Sequence, residues 1–435
     1  MTKAIAWNRW WQRSAGLLLC AAAACGGPGG APADGGAPAA APATPAADAA
    51  GASPVILGVD ALVADSGGPL RGKRVGLITN HTGRGASGES SIDLLNRLPG
   101  VKLVALFGPE HGIRGTAQAG ESVASGRDEK TGLPVYSLFG QHDRPTPEML
   151  KGIDALVYDI QDVETRYYTY EWTMALSMKS AAENNLDFVV LDRPAPLGGA
   201  VLQGNVLDPK YSTFVGLYPV AMRYAMTPGE LARYVNAEGK VGARLTVVPM
   251  RGWRRGVWYD GTGLPWTIPS PNLPTLEAAA HYPGTCLFEG TNLSVGRGTS
   301  LPFEQIGAPW LDGAELARRL NARKLPGVRF EAVRFTPQKP GDERFGGVEV
   351  QGVRFVMTDR NSYDAPVAAI AALLEVHAMA PDKLTWVERH FDRLAGTDQV
   401  RKQIMSSTPL ETIVADWPAQ RAAFDKIRQK YLLYR

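Results

Sequence analysis

The sequence predicts an α/β protein: a Rossmann-like parallel-sheet domain followed by a smaller α+β domain. Three observations carry that prediction. Residues 75–79 (VGLIT), 101–107, 155–160 and 188–191 are short, largely apolar runs, the pattern of strands covered on both faces. Helical or irregular segments separate them, which is the alternation of a doubly wound sheet. Near residue 266 the texture changes to proline- and aromatic-rich connections (WTIPSPNLPT, 266–275), marking a boundary between a domain at 54–268 and one at 269–435.

In chain order, residues 1–24 have a basic start, an apolar core at 15–24 and small residues before Cys25, the layout of a bacterial export signal of the lipoprotein type. The run is too short and too alanine-rich for a membrane-spanning helix. Ala-Ala-Ala-Cys25 resembles a lipobox, so Cys25 is expected to become the lipidated N-terminus of a periplasmic, membrane-anchored protein. Cys20, behind bulky Leu19, fits worse; the competing outcome is cleavage to a soluble periplasmic protein. Residues 25–53 are dominated by alanine, glycine and proline and cannot bury enough apolar surface to order themselves, so they read as a tether.

The formal charge of +3 comes from Lys3, Arg9 and Arg13; the rest of the chain carries 43 basic and 43 acidic residues, a balance that excludes nucleic acid as a partner. With Cys20 and Cys25 set aside, Cys286 is the one remaining cysteine, so no intramolecular disulfide is expected, and it reads as a small buried hydrophobe.

Between the strands, residues 91–98 have helical spacing, Thr146-Pro147-Glu148 has the form of a helix start, 171–185 is a third helix, and Thr227-Pro228-Gly229-Glu230 opens a fourth as a capping box. Beyond the boundary, 284–298 carries few regular-element signals. Helices are expected at 312–323, 365–379 and 417–433, and strands at 328–336 and 347–357.

Each predicted strand exits into polar residues: Asn80 and His81, then Glu110 and His111, then Gln161 and Asp162, then Asp192 and Arg193. In open α/β sheets ligands bind outside the carboxyl ends of the strands, so these exits converge where a site is expected. Residues 154–173 (DALVYDIQDVETRYYTYEWT) add Arg166, which either binds ligand or pairs with Asp162, and tyrosines including Tyr168, suited to stacking on sugar or to the core. Residues 290–299 (GTNLSVGRGT) form a glycine-bracketed loop with Asn292 and Arg297, flanked by Glu289 and Glu304. Arg297 could take a carboxylate, and the loop is expected to close the cleft on one side.

Gly83-Arg84-Gly85-Ala86-Ser87-Gly88 matches the dinucleotide fingerprint by letter, but Asn80-His81-Thr82 intervene between it and the strand, where the first glycine should close the turn. No G-x-S-x-G, H-E-x-x-H or paired-cysteine spacing occurs, so neither a serine elbow, a zinc site nor a cofactor is expected. Carboxylates, arginines, amides and tyrosines remain, a set suited to glycoside chemistry. There two carboxyl groups flank an acetal, one protonating the leaving oxygen and one stabilising or capturing the oxocarbenium-like carbon.

At GLITNHTG (76–83), LFGPEHGIRG (106–115), DIQDVETRYYTY (159–170), LDRPAPLGG (191–199), PSPNLPT (269–275), EGTNLSVGRGT (289–299) and PFE (302–304), the chain resembles the exo-acting β-N-acetylmuramidase family. The resemblance implies a Rossmann-like catalytic domain with a smaller C-terminal domain, releasing terminal N-acetylmuramic acid from the non-reducing ends of peptidoglycan fragments. Glu110 stands at the family's proposed catalytic glutamate. Asp162 is the candidate second carboxyl, a role the resemblance leaves open, together with the choice between retention and inversion. Asn80, His111, Arg114, Gln161, Arg166, Tyr168, Asp192, Arg193, Glu289, Asn292 and Arg297 are the candidate substrate contacts, arginine suiting the lactyl carboxylate of muramic acid. Glu164 stands where the family pattern has glycine. The competing class is a non-catalytic lipoprotein that binds muropeptides or another wall ligand in the same cleft.

Overall fold

The apolar runs become the interior strands of a seven-stranded sheet, and their alternate residues feed two cores, one on each face. The computed structural model describes residues 54–115, 120–121 and 124–435; the expected export signal, Cys25 and the tether lie outside the described residues. The strands of the first half are β1 (Arg74–Thr79), β2 (Lys102–Gly108), β3 (Gly126–Arg127), β4 (Pro134–Ser137), β5 (Ala155–Asp159) and β6 (Asp187–Leu191). A two-stranded hairpin, β7 (Gln203–Val206) and β8 (Ala221–Arg223), precedes the edge strand β9 (Arg244–Val248).

The large sheet has the order β3-β4-β2-β1-β5-β6-β9, with every pair parallel except β3 against β4. The chain leaves β1 toward β2 and returns on its other side as β5, so the strand order reverses at β1 and a crevice opens at the carboxyl ends there. Along β5, Ala155 and Val157 join one core while Leu156 and Tyr158 join the other, the period-two alternation of a strand covered on both faces. α1 (Gly58–Ala64) and α2 (Ser91–Asn96) pack on the first face. α3 (Tyr170–Glu183) and α4 (Pro228–Glu238) pack on the second, and α4 opens with the expected capping box between Thr227 and Glu230.

The second face does not stop at residue 268. α5 (Leu276–Thr285), β10 (Gln305–Ala308), α6 (Gly313–Ala322), β11 (Val328–Phe335), β12 (Val350–Met357), α7 (Ala365–Met379) and α8 (Glu388–Ala395) follow. They are succeeded by α9 (Gln399–Met405), α10 (Leu410–Ile413) and α11 (Trp417–Arg428). β10, β12 and β11 form an antiparallel sheet, in that order. Phe330, Val353, Phe355 and Leu373 belong to the same buried cluster as Tyr158 and Met174, so the large sheet and the antiparallel sheet share a core and the described residues pack as a single unit.

Two local expectations change. Residues 146–151 make only a turn, because Gly152, at φ +78°, redirects the chain into β5 before a helix can extend. α5 forms in a stretch for which the sequence predicts no element, reaching the start of the 284–298 segment read as irregular, with Pro283 inside it. Its Gly284 is required by a close approach to α7: a Cβ there would lie 2.0 Å from Ala365 O.

Candidate active site

β2 ends at Gly108, and a tight turn follows in which Gly112 N donates to Pro109 O at 2.9 Å and His111 adopts φ +69°. This turn leaves Glu110 half-buried at the carboxyl edge of the sheet, beside the point where the strand order reverses. Both of its oxygens accept hydrogen bonds: Oε1 from Gly120 N at 2.8 Å and Oε2 from Thr169 Oγ1 at 2.6 Å. Sequence reading missed Thr169, because a threonine before a helix reads as a cap.

Around this carboxyl the neighbouring exits are pinned to one another. The buried His111 ring stands edge-on to Tyr170 at 6.4 Å, and Tyr170 OH donates to Pro269 O at 2.7 Å. His81 Nε2 donates to Ile268 O at 2.6 Å, so the proline-rich connection is tied to the ends of β1 and α3. Burial holds the His81 imidazole below its ordinary pKa, although the contact with Ile268 O acts in the opposite direction. A continuous series of ring contacts then leads away from the turn: Tyr170 to Tyr168 at 4.7 Å, Tyr168 to Tyr282 at 6.0 Å, Tyr282 to Phe303 at 4.8 Å, and Phe303 to the Arg297 guanidinium at 5.1 Å. The loop at 289–304 thus meets the Glu110 turn through aromatic side chains. Asn292 faces elsewhere, accepting from Thr385 N at 3.0 Å and donating to Lys383 O at 2.8 Å.

Several expected ligand contacts are engaged inside the fold. Among the described residues Arg166 pairs with no acid: it is fully buried and donates to the carbonyls of Asn205, Val220, Leu394 and Ala395, which makes it a structural pin instead of a sugar-binding residue. Arg193 forms a two-point ion pair with Asp159 at 2.7 and 2.9 Å, joining the ends of β6 and β5. Asp192 accepts from Thr227 Oγ1, Gly229 N and Tyr434 OH, anchoring the start of α4 and the C-terminal segment. Asn80 Oδ1 closes its own turn by accepting from Thr82 N at 2.9 Å and Thr82 Oγ1 at 2.6 Å. Gln161 donates to Asp162 O at 2.9 Å and Pro194 O at 2.8 Å. Arg114 is turned toward another acid, Asp128, while Arg297 is held at 2.7–2.8 Å by Glu289. Burial raises the Glu289 carboxyl, but Arg297, His390 and Arg344 together outweigh it and leave the group below its ordinary pKa.

Asp162 lies beneath this surface. It is 2 % exposed and accepts from Tyr224 OH and from Glu164 N at 2.6 Å, and burial pushes its carboxyl up to about 7. Glu171, in the first turn of α3, is also buried, with no hydrogen-bond partner for either oxygen. Burial, reinforced by Asp162 and Asp192, keeps it protonated well above the carboxylate range. The solvent-facing carboxyl of the group is therefore Glu110, and Asp162 and Glu171 form an acid layer under it. The glycine-rich loop at 83–88 is closed on itself by an Arg84–Ser90 bridge, and Ala86 N donates to Asp60 at 3.0 Å, so these amides do not form a phosphate cradle.

A half-buried glutamate at the carboxyl edge of a parallel sheet, bordered by tyrosines and a proline-rich connection, defines an α/β protein whose candidate site is built around a carboxyl group. Residues 75–277 match the family model for the N-terminal part of the exo-β-N-acetylmuramidase NamZ, and residues 280–434 match the model for its C-terminal part. The chain belongs to the exo-β-N-acetylmuramidase NamZ family. It is 48% identical over 378 residues to the peptidoglycan β-N-acetylmuramidase NamZ of Bacillus subtilis, covering 87% of this chain and 91% of that one. Among solved structures it resembles two DUF1343 family proteins of Bacteroides fragilis. One has a TM-score of 0.82 at 39% identity, and the other 0.69 at 32%; each comparison covers 88% of this chain and 99% of the other.

Proposed function

We propose that this chain is an exo-β-N-acetylmuramidase, a glycoside hydrolase that removes N-acetylmuramic acid from the non-reducing ends of peptidoglycan fragments. The observation that carries this reading is the pair of family matches spanning both sheets, together with 48% identity to a peptidoglycan β-N-acetylmuramidase across most of both chains. No observation favours the non-catalytic alternative. The test is incubation of purified protein with the disaccharide of N-acetylmuramic acid and N-acetylglucosamine, with free N-acetylmuramic acid as the readout.

In this reading Glu110 is the general acid. Its proton passes to the glycosidic oxygen, the bond from that oxygen to C1 breaks, and the oxygen leaves as a hydroxyl of the departing sugar; water supplies the new bond to C1 and gives up a proton, so that the acid is restored. The burial of Asp162 supports a supporting role for it, holding the turn that leads to Tyr168 and Thr169, over direct contact with sugar. Arg114, close in sequence to Glu110 and with an exposed side chain, is the cation placed to meet the lactyl carboxylate, whereas Arg297 is buried and already paired with Glu289.

The same proposal includes export and anchoring: cleavage before Cys25, lipid on Cys25, and residues 25–53 as a tether from which the periplasmic enzyme reaches wall fragments. The composition of the leader and tether supports it. Lipoprotein acylation provides enough hydrocarbon for stable membrane attachment. Wild type should fractionate with membranes and Cys25→Ser should not; equal recovery of both in the membrane fraction would contradict anchoring through Cys25.

A further inference from the structure

Thr169 occupies the N-cap position of α3 without capping it. Its backbone is helical, at φ −80° and ψ −14°, and its side chain accepts nothing from the amides of the first turn. An N-cap threonine ordinarily has extended backbone and accepts from the second or third amide of its helix. Thr227 and Thr275 in this same chain do so, at φ −75°, ψ 162° and φ −127°, ψ 159°, each with its side chain accepting from a first-turn amide. The Thr169 hydroxyl is instead turned out of α3 onto Glu110 Oε2, at 2.6 Å. Thr169 is itself only 8 % exposed, so it marks the inner oxygen of Glu110; Oε1, which accepts from Gly120 N at 2.8 Å, is the outer one.

We infer that Thr169 is a positioning residue for the acid step, holding the inner oxygen of Glu110 so that the outer oxygen delivers the proton. This rests on the reading of Glu110 as general acid. When the Oε1–H bond breaks, its proton goes to the glycosidic oxygen. The electron pair of the C1–O bond goes to that oxygen, and Glu110 is left as a carboxylate. A hydroxyl donating to a neutral acid then becomes one donating to an anion, and charge-assisted hydrogen bonds are roughly twice as strong as neutral ones. The contact therefore strengthens as the transition state forms, and only interactions that strengthen there accelerate the chemical step. It also removes alternative rotamers of a side chain that leads from a glycine-rich turn.

The experiment compares Thr169→Val, Thr169→Ala and Thr169→Ser with wild type and Glu110→Gln. The substrates are the natural disaccharide and an aryl β-glycoside of N-acetylmuramic acid with an activated leaving group, and thermal midpoints report folding. Because the hydroxyl does not cap α3, Val and Ala should fold. Both should lose about ten- to a hundredfold in kcat on the disaccharide, the scale of one hydrogen bond to a charged group. KM should change little, since the contact matters chiefly in the transition state. The loss on the aryl glycoside should be several-fold smaller, as its leaving group needs less protonation, and Ser, which keeps the hydroxyl, should restore most of the rate. A purely structural role would lower both substrates equally and would not separate kcat from KM. Folded Val and Ala variants that turn over the disaccharide at nearly the wild-type rate would overturn the inference, as would a Ser variant as slow as Val, or equal losses on the two substrates. A Glu110→Gln enzyme that still hydrolyses the disaccharide would instead remove the reading of Glu110 on which the inference stands.

Discussion

The guanidinium of Arg166 donates to the backbone carbonyl of Ala395, the last residue of α8, at 2.9 Å. The same side chain reaches Leu394 O at 3.0 Å, Asn205 O at 2.9 Å and Val220 O at 3.1 Å. Among the described residues no carboxylate neutralises it; the partial negative charge at the carboxyl end of α8 does part of that work. Burial lowers its pKa to about 10, so at neutral pH it stays charged. Gly396 is required beside it, because a Cβ there would lie 2.8 Å from Arg166 Nη2. One residue from the junction of β5 and α3 thereby joins the sheet to the C-terminal helices.

Arg166→Met keeps much of the volume and removes the donors, leaving buried carbonyls without them. Destabilisation of about 3 kcal/mol or more is expected, given one to three for each buried polar group left unsatisfied. Urea unfolding measures it; a change under about 1 kcal/mol would mean that water or a rearranged chain end replaces the guanidinium at little cost.

Glu164 sits at φ +61°, a conformation that favours glycine and explains the glycine that the family resemblance places here. Its buried carboxylate faces Arg223 Nε at 3.3 Å and accepts from Leu197 N at 3.0 Å and Gly199 N at 3.3 Å. Glu164→Gly relieves about 1 kcal/mol of backbone strain but leaves a buried arginine unpaired, which costs about 3–5 kcal/mol. The variant should be less stable by about 2 kcal/mol or more, with part recovered by adding Arg223→Met. A glycine variant more stable than the parent would show that strain outweighs the ion pair.

Stability should also respond to pH through the acid layer. Burial pushes Asp162 up to about 7 and Asp192 up to about 6, both from 3.8. A carboxyl with a raised folded-state pKa binds an extra proton in the folded chain between its unfolded and folded values. Its contribution is therefore complete below about pH 4 and is lost as pH rises toward the folded pKa. Asp162→Asn preserves an acceptor for Tyr224 OH and Glu164 N but never ionises. Relative to the parent it should gain stability from about pH 4 to pH 7, on the order of 3 kcal/mol. Parallel stability curves for the two proteins across that window would contradict a protonated, buried Asp162.

The parallel sheet was legible because strands covered on both faces need uninterrupted apolar runs, and those runs bound β1, β2, β5 and β6 within a residue or so of where they form. The edge strand β9, half-exposed along its length, lacks that signal. Glu110 was legible for a related reason: an apolar run ending in Gly-Pro-Glu-His places a carboxyl at the sheet's edge. The roles of its neighbours were not, because a polar residue after a strand serves equally to bind a ligand or to close the fold, and the partner that decides lies far away in sequence. Arg166 is claimed by carbonyls at 205, 220, 394 and 395, and Asp192 by Tyr434. Thr169 was hidden by its position, since only the coordinates reveal that its hydroxyl leaves the helix it precedes.

The most direct test of the account is the turnover of Glu110→Gln on the disaccharide of N-acetylmuramic acid and N-acetylglucosamine, compared with an activated aryl β-glycoside of N-acetylmuramic acid. Glutamine can keep its one oxygen as the acceptor for Gly120 N while its NH2 donates to Thr169 Oγ1, and it has no acidic proton to give. The account predicts retained substrate binding, a fall of a hundredfold or more on the disaccharide, about the scale of lost acid catalysis, and a smaller fall on the aryl glycoside. Equal losses on both substrates would assign Glu110 to nucleophilic attack or positioning, and disaccharide turnover near the wild-type rate would contradict its role in the chemistry altogether.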